Sequence, residues 1–124
     1  MKIKKTHRKG NHFIIDGYSE NQTINNKKFI KQFLIDLTKK IKMKSISKPL
    51  VVNYKARNKS ESGISGAIIL AESSIIIHTY PNKNLFFLDI FSCKEFNINK
   101  TKQFIIKKLK LKKLKTKLIK RGIY

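Results

Sequence analysis

The run Glu72-Ser73-Ser74 precedes His78 by a few residues, Ser65 stands upstream of it, and Cys93 lies further on. These are residue types that attack carbonyls and move protons. A serine near a histidine suggests a nucleophile with its base. Glu72 needs an explanation of its own, because a carboxylate among apolar strand residues must be paired or hydrogen-bonded if it is buried. Singly, the others have ordinary readings: His78 as a satisfied core histidine, Cys93 as a small hydrophobe. As a set they lie in or beside consecutive strand candidates, so hairpin pairing could bring them together. There is no Gly-x-Ser-x-Gly elbow, and no good orienting acid follows, so an ordinary serine hydrolase is poorly supported.

The elements that would carry these residues can be read from the pattern. Residues 12–17 form a short apolar run ending in Gly17, a strand candidate. Phe29, Ile30, Phe33, Leu34, Leu37 and Ile41 recur at helical spacing behind the possible N-caps Asn25 and Asn26, which predicts one amphipathic helix over roughly residues 26–43. Residues 49–54 read as a second strand and 55–63 as a polar loop. Two apolar strands, 64–72 and 74–80, break at the Glu-Ser step. A turn at 81–84 leads to a strand over 85–92. Asn97 or Asn99 can cap a second helix holding Phe104, Ile105 and Leu109. Residues 112–120 fit either period; Leu114, Thr116 and Leu118 alternate with lysines, and a strand is preferred. Helices interposed among hairpin-joined strands predict an α+β fold, a two-layer α/β sandwich with a mainly antiparallel sheet and two helices on one face.

Composition bounds the function. The chain has 124 residues, enough for one domain, and 40% of them are hydrophobic. One cysteine excludes an internal disulfide and a multi-cysteine metal site. With no secretory signal it fits a reducing cytoplasm, and no stretch approaches the length of a membrane span. The formal net charge is +22. Such a charge suits nucleic acid or an anionic membrane, and residues 100–121 carry eleven Lys or Arg and no acid. The blander reading is a solvated lysine surface in a chain dominated by Ile, Lys and Asn, and it is preferred.

The stretch GISGAIILAESSIIIHTYP, followed by LDIFSC, resembles the prokaryotic S-adenosylmethionine decarboxylase proenzyme family. That family's pattern runs Gly-x-Ser-Gly, an apolar strand, Glu-Ser, Ile-His-Thr-aromatic-Pro and Asp-x-Phe-Thr/Ser-Cys. Ser65 lies eight residues before Ser73, His78 five after it and Cys93 twenty after it, and all three offsets match. His12 and Asp16 fit the family's opening His-x-x-x-Asp, and the likeness spans nearly the whole chain.

The resemblance implies a single self-processing domain over 1–124 that cuts itself between Glu72 and Ser73 into chains 1–72 and 73–124. Ser73 attacks the preceding carbonyl, the ester is eliminated, and Ser73 becomes a covalent pyruvoyl group. Composition alone leaves Ser74 as a rival nucleophile; the offsets choose Ser73. His78 would move the proton in processing and Ser65 would assist by hydrogen bonding. The pyruvoyl group would form a Schiff base with the substrate's amino group and take up electrons as carbon dioxide leaves, with no metal and no pyridoxal phosphate. Cys93 would return the proton.

The implied substrate is S-adenosylmethionine, whose product donates aminopropyl groups for spermidine and other polyamines, and the implied assembly is a homodimer with sites built by both subunits. Two positions depart from the pattern: Asn82 stands where the family has a ribose-binding Glu, and Lys59 where it has an adenine-stacking aromatic. Tyr80 remains as a stacking partner. Arginine or ornithine is therefore the alternative substrate, with Glu61 or Asp89 available to its distal cation. A non-enzymatic basic nucleic-acid-binding module is the third reading.

Overall fold

The structure, a computed structural model, describes residues 9–123. Along the chain it has strand β1 (Lys9–Tyr18), helix α1 (Lys27–Lys40), strands β2 (Leu50–Tyr54), β3 (Gly63–Leu70), β4 (Ser73–Tyr80) and β5 (Leu85–Ser92), helix α2 (Ile98–Leu109) and strand β6 (Lys113–Gly122), with single 3-10 turns between some of them. The six strands form one antiparallel sheet in the order β2-β3-β4-β5-β1-β6. Residues 112–120 are thus largely strand, as their alternation suggests, and β6 as a whole pairs with the whole of β1.

Local chemistry sets the boundaries. The Asn26 side chain accepts from the Phe29 backbone and opens α1, while Asn25 ends the 3-10 turn before it. Asn97, not Asn99, caps α2 by accepting from the Lys100 backbone. Two lysines in the last turn of each helix complement its dipole. The α2–β6 turn is clipped to the end of β1 by the Lys112–Glu20 ion pair, 2.9 Å long. That hydrogen bond lowers the Glu20 carboxyl below its ordinary pKa and raises the Lys112 amine.

Alternation divides the sheet into two faces. Ile64, Ile68, Ile75, Ile77, Phe86 and Leu88 point to one face, where Ile30, Leu34, Leu37, Ile105 and Leu109 of the helices meet them in a single core. Each fully buried aliphatic side chain contributes about 1.5–3 kcal/mol by leaving water. The other face has no helix over it among the described residues. It carries Val52, Tyr54, Ile69, Ile76 and Phe87, all exposed, with Ile69 at 55% and Phe87 at 41%. No helix among the described residues is long and apolar enough to cross a membrane.

Gly63 opens β3 where the backbone of Thr79 crosses it, and the Thr79 hydroxyl accepts from the next amide, Ile64 N–H. A Cβ at Gly63 would overlap the Thr79 carbonyl, a backbone group that cannot rotate aside. Gly63→Ala should therefore lower stability by about 2 kcal/mol or more, read as a fall in the thermal or denaturant midpoint; an unchanged midpoint would contradict the close approach.

Candidate active site

The β3–β4 hairpin carries most of the residues singled out from the sequence, but it does not gather them at one point. Ser65 and His78 are directly paired across it. Their side chains meet on the uncovered face, with Ser65 Oγ 2.7 Å from His78 Nδ1. That bond occupies one ring nitrogen and leaves Nε2 without a hydrogen-bond partner among the described residues. A cleft of about 390 Å3 surrounds the pair, lined also by Tyr54, Glu61 and Tyr80.

The turn after β4 completes this end. Asn82 Nδ2 donates to the Lys59 carbonyl at 2.8 Å. Lys83 Nζ donates to Glu61 Oε1 at 2.9 Å and lies 5.8 Å from the centre of the Tyr80 ring. A neighbouring cavity of about 580 Å3 shares Tyr54 with the cleft and is lined by Lys55, Arg57, Lys59 and Asn82. Glu61 is thus already paired with Lys83. Asp89, the other acid considered for a cationic substrate, is held by His12, with Nε2 2.9 Å from its Oδ1.

The remaining residues sit at the opposite end of β4. Ala71 and Glu72 form the two-residue turn between Leu70 and Ser73. The Ala71 amide donates to the Lys44 carbonyl at 2.8 Å, which anchors the turn to the segment after α1. Glu72 has φ 63°, a left-handed conformation costing about 1–2 kcal/mol in a residue with a Cβ. Ser73 comes next, only 6% exposed, on the core face. Its Oγ is buried and has no hydrogen-bond partner among the described residues. Burying a hydroxyl unpartnered costs about 1–3 kcal/mol, so it calls for a reason. Ser74 points to the other face and is half-buried. Ser73 pairs with Ser92, and Cys93 is the next residue, half-buried just past the end of β5.

The expectation that hairpin pairing collects all five reactive residues is therefore corrected. Within one chain there are two clusters, Ser65 with His78, and Glu72, Ser73 and Cys93. Five steps along the strand separate Ser73 from His78, about 16 Å at 3.3 Å per residue, and an odd offset puts their side chains on opposite faces. That signal was present in the spacing itself. The His12–Asp89 pair was missed because its partners come from strands far apart in sequence.

The S-adenosylmethionine decarboxylase family profile matches residues 11–122. An S-adenosylmethionine decarboxylase proenzyme of Clostridium kluyveri is 30% identical over 118 residues, covering 93% of this chain and 88% of that protein. One from Thermococcus kodakarensis is 40% identical over 65 residues, 52% of this chain and 46% of that protein, so this chain spans about half the length of the archaeal relative. The crystal structure of the adenosylmethionine decarboxylase from Aquifex aeolicus superposes with a TM-score of 0.74 at 25% identity, covering 94% of this chain and 93% of that one.

The geometry at Ser73 makes a sharp expectation about cleavage. Ser73→Ala should stay one chain, whereas Ser74→Ala, altered on the other face, should yield the same two chains as the unaltered protein. Glu72→Gly should still be cut, but more slowly by up to about tenfold, because glycine removes the left-handed strain. Intact mass and a time course on denaturing gels check all three; cleavage of Ser73→Ala would contradict the assignment.

Proposed function

The chain belongs to the S-adenosylmethionine decarboxylase family, and from that premise we propose that it is a self-cleaving, pyruvoyl-dependent decarboxylase of S-adenosylmethionine that works as a homodimer. The observation that carries this reading is the buried, unpartnered hydroxyl of Ser73 directly after a strained Glu72. A β-oxygen there can attack the preceding carbonyl and later leave, which is the chemistry that generates the group. The residues present fit it.

Processing needs four events from the chain's own residues. Ser73 Oγ attacks the Glu72 carbonyl carbon, and an ester replaces the amide. A base removes the Ser73 α-hydrogen, the Cα–H electrons form a double bond, and the ester C–O bond breaks with the Glu72 carboxylate as leaving group. Tautomerisation and loss of ammonia to water leave a ketone at residue 73. His78, fixed through Nδ1 by Ser65 and open at Nε2, is the base. Once present, the ketone supplies an electron acceptor for the bond that releases carbon dioxide. Cys93 holds the proton that the substrate carbon then takes up.

His78 cannot reach Ser73 of its own chain across about 16 Å of strand. The base is the His78 of a second copy. Support for such a copy comes from the uncovered sheet face, where Val52, Ile69, Ile76 and Phe87 are exposed and would be covered by an equivalent face. Two copies related by a two-fold axis, with their β4 strands antiparallel, bring the Ser65–His78 end of each over the Ser73 end of the other. The lysine-rich surface remains in solvent, and the enzyme works in the cytoplasm.

Two acids could have served an arginine or ornithine side chain, and both are engaged: Glu61 by Lys83 and Asp89 by His12. This favours S-adenosylmethionine over a basic amino acid, with Tyr80 and Asn82 lining the nucleoside end. The product would supply aminopropyl groups for spermidine synthesis. The test is carbon dioxide release from S-adenosylmethionine, arginine and ornithine, compared side by side on processed protein. Turnover of S-adenosylmethionine with none of the other two is expected; the reverse would overturn the substrate assignment. Light scattering at micromolar concentration should give a dimer, and a monomer would remove the source of the base.

A further inference from the structure

Ser92 is fully buried and pairs directly with Ser73 across β4 and β5. Its hydroxyl makes two short bonds to a single residue. It donates to the Lys94 carbonyl at 2.6 Å and accepts from the Lys94 amide at 2.9 Å. A third, weaker contact reaches Met43 Sδ at 3.5 Å, from the segment after α1. Both backbone groups of Lys94 are thereby tied to the end of β5. Between the two tied points stands one residue, Cys93. The polypeptide on either side of the thiol is clamped to the strand that lies against Ser73.

A buried hydroxyl calls for a partner, and this one spends both its donor and an acceptor site on the same residue, Lys94. We infer that Ser92 is a positioning residue for Cys93: its hydroxyl locks the Ser92–Lys94 turn and so fixes the place of the thiol, one residue beyond the Ser73–Ser92 pair. This rests on the proposed function, in which Cys93 holds the proton for the substrate carbon. Proton delivery discriminates between two carbons close together, and a shift of about 1 Å can change such a rate by about a hundredfold. The cost of a wrong choice is chemical. If the proton reaches the α-carbon of residue 73 instead, the substrate nitrogen stays on the chain and residue 73 becomes alanine. Water then releases the decarboxylated substrate as an aldehyde. The ketone of residue 73 is reduced to an amine as the substrate carbon is oxidised, so no other redox partner is required, and that chain is finished as a catalyst.

Thr and Val have nearly the same shape and differ by the hydroxyl, so Ser92→Thr and Ser92→Val separate the clamp from packing. Both should still cut themselves at Glu72–Ser73. During turnover of S-adenosylmethionine, intact mass of the 73–124 chain counts molecules whose residue 73 has become alanine, per carbon dioxide released. Ser92→Thr should match the unaltered protein, and Ser92→Val should raise that ratio by about tenfold or more. Equal ratios for the two variants would overturn the inference. A second reading is free of turnover: in uncut Ser73→Ala protein, adding Ser92→Val should change the alkylation rate of Cys93 by iodoacetamide, and Ser92→Thr should not. Equal alkylation in the two would also overturn it. Failure of the proposed function itself looks different, as absent cleavage or absent carbon dioxide release in the unaltered chain.

Discussion

The pleat of β4 is the constraint on which the rest depends. Successive side chains of a strand point to opposite faces and advance by about 3.3 Å. Ser73 and His78 lie on the same strand at an odd offset, so they face opposite sides of the sheet and stand about 16 Å apart. No rotamer closes that distance. Chemistry that needs both, as proposed for processing, calls for a second copy. The helices cover one face of the sheet and leave the other apolar and open. A second sheet laid on that face would bury the exposed isoleucines and set the His78 of one copy over the Ser73 end of the other, on the side of the strand away from the Ser73 hydroxyl.

Each half-site is prepared within its own chain. At one end, the Ser65 hydroxyl fixes one nitrogen of His78 and leaves the other open. At the other end the preparation is unfavourable by design of the backbone: a left-handed Glu72 and a buried hydroxyl without a partner, each costing about 1–3 kcal/mol. The surrounding structure over-determines that geometry. The Ala71 amide is bonded to Lys44, Ile69 N–H to Ser47 Oγ, and Ser73 is paired with Ser92. In the proposed processing, such local strain would lower the energy needed to break the bond next to it.

Much of this was legible in the residues. The helices followed from the 3.6-residue recurrence of Ile30, Phe33, Leu34 and Leu37, and the sheet from alternation in residues 64–70 and 85–92. Even the C-terminal strand could be chosen from Leu114, Thr116 and Leu118. Boundaries were less legible, because a cap is decided by which asparagine reaches the first turn, as with Asn97 over Asn99. At the site, residue types and offsets pointed to Ser65, Glu72, Ser73, His78 and Cys93. Their separation into two clusters follows from strand parity over the step from 73 to 78, which a match of offsets to a family pattern does not contain. The pairing of Glu61 with Lys83 and of Asp89 with His12 could not be read at all, since each joins segments that only the folded chain brings together. The tie between Ser92 and Lys94 is likewise a product of the folded turn rather than of residue type.

The most direct test of the central claim, that each site is shared between two chains, is complementation between two defective chains. His78→Ala and Ser73→Ala chains, carrying different tags, are produced together and the mixed dimer is isolated through both tags. Each variant alone should remain uncut. In the mixed dimer, the His78→Ala chain should be cut at Glu72–Ser73, because its serine meets the intact histidine of its companion, while the Ser73→Ala chain stays whole. A His78→Ala chain that remains whole in verified mixed dimers, or that is cut at the normal rate on its own, would contradict the account.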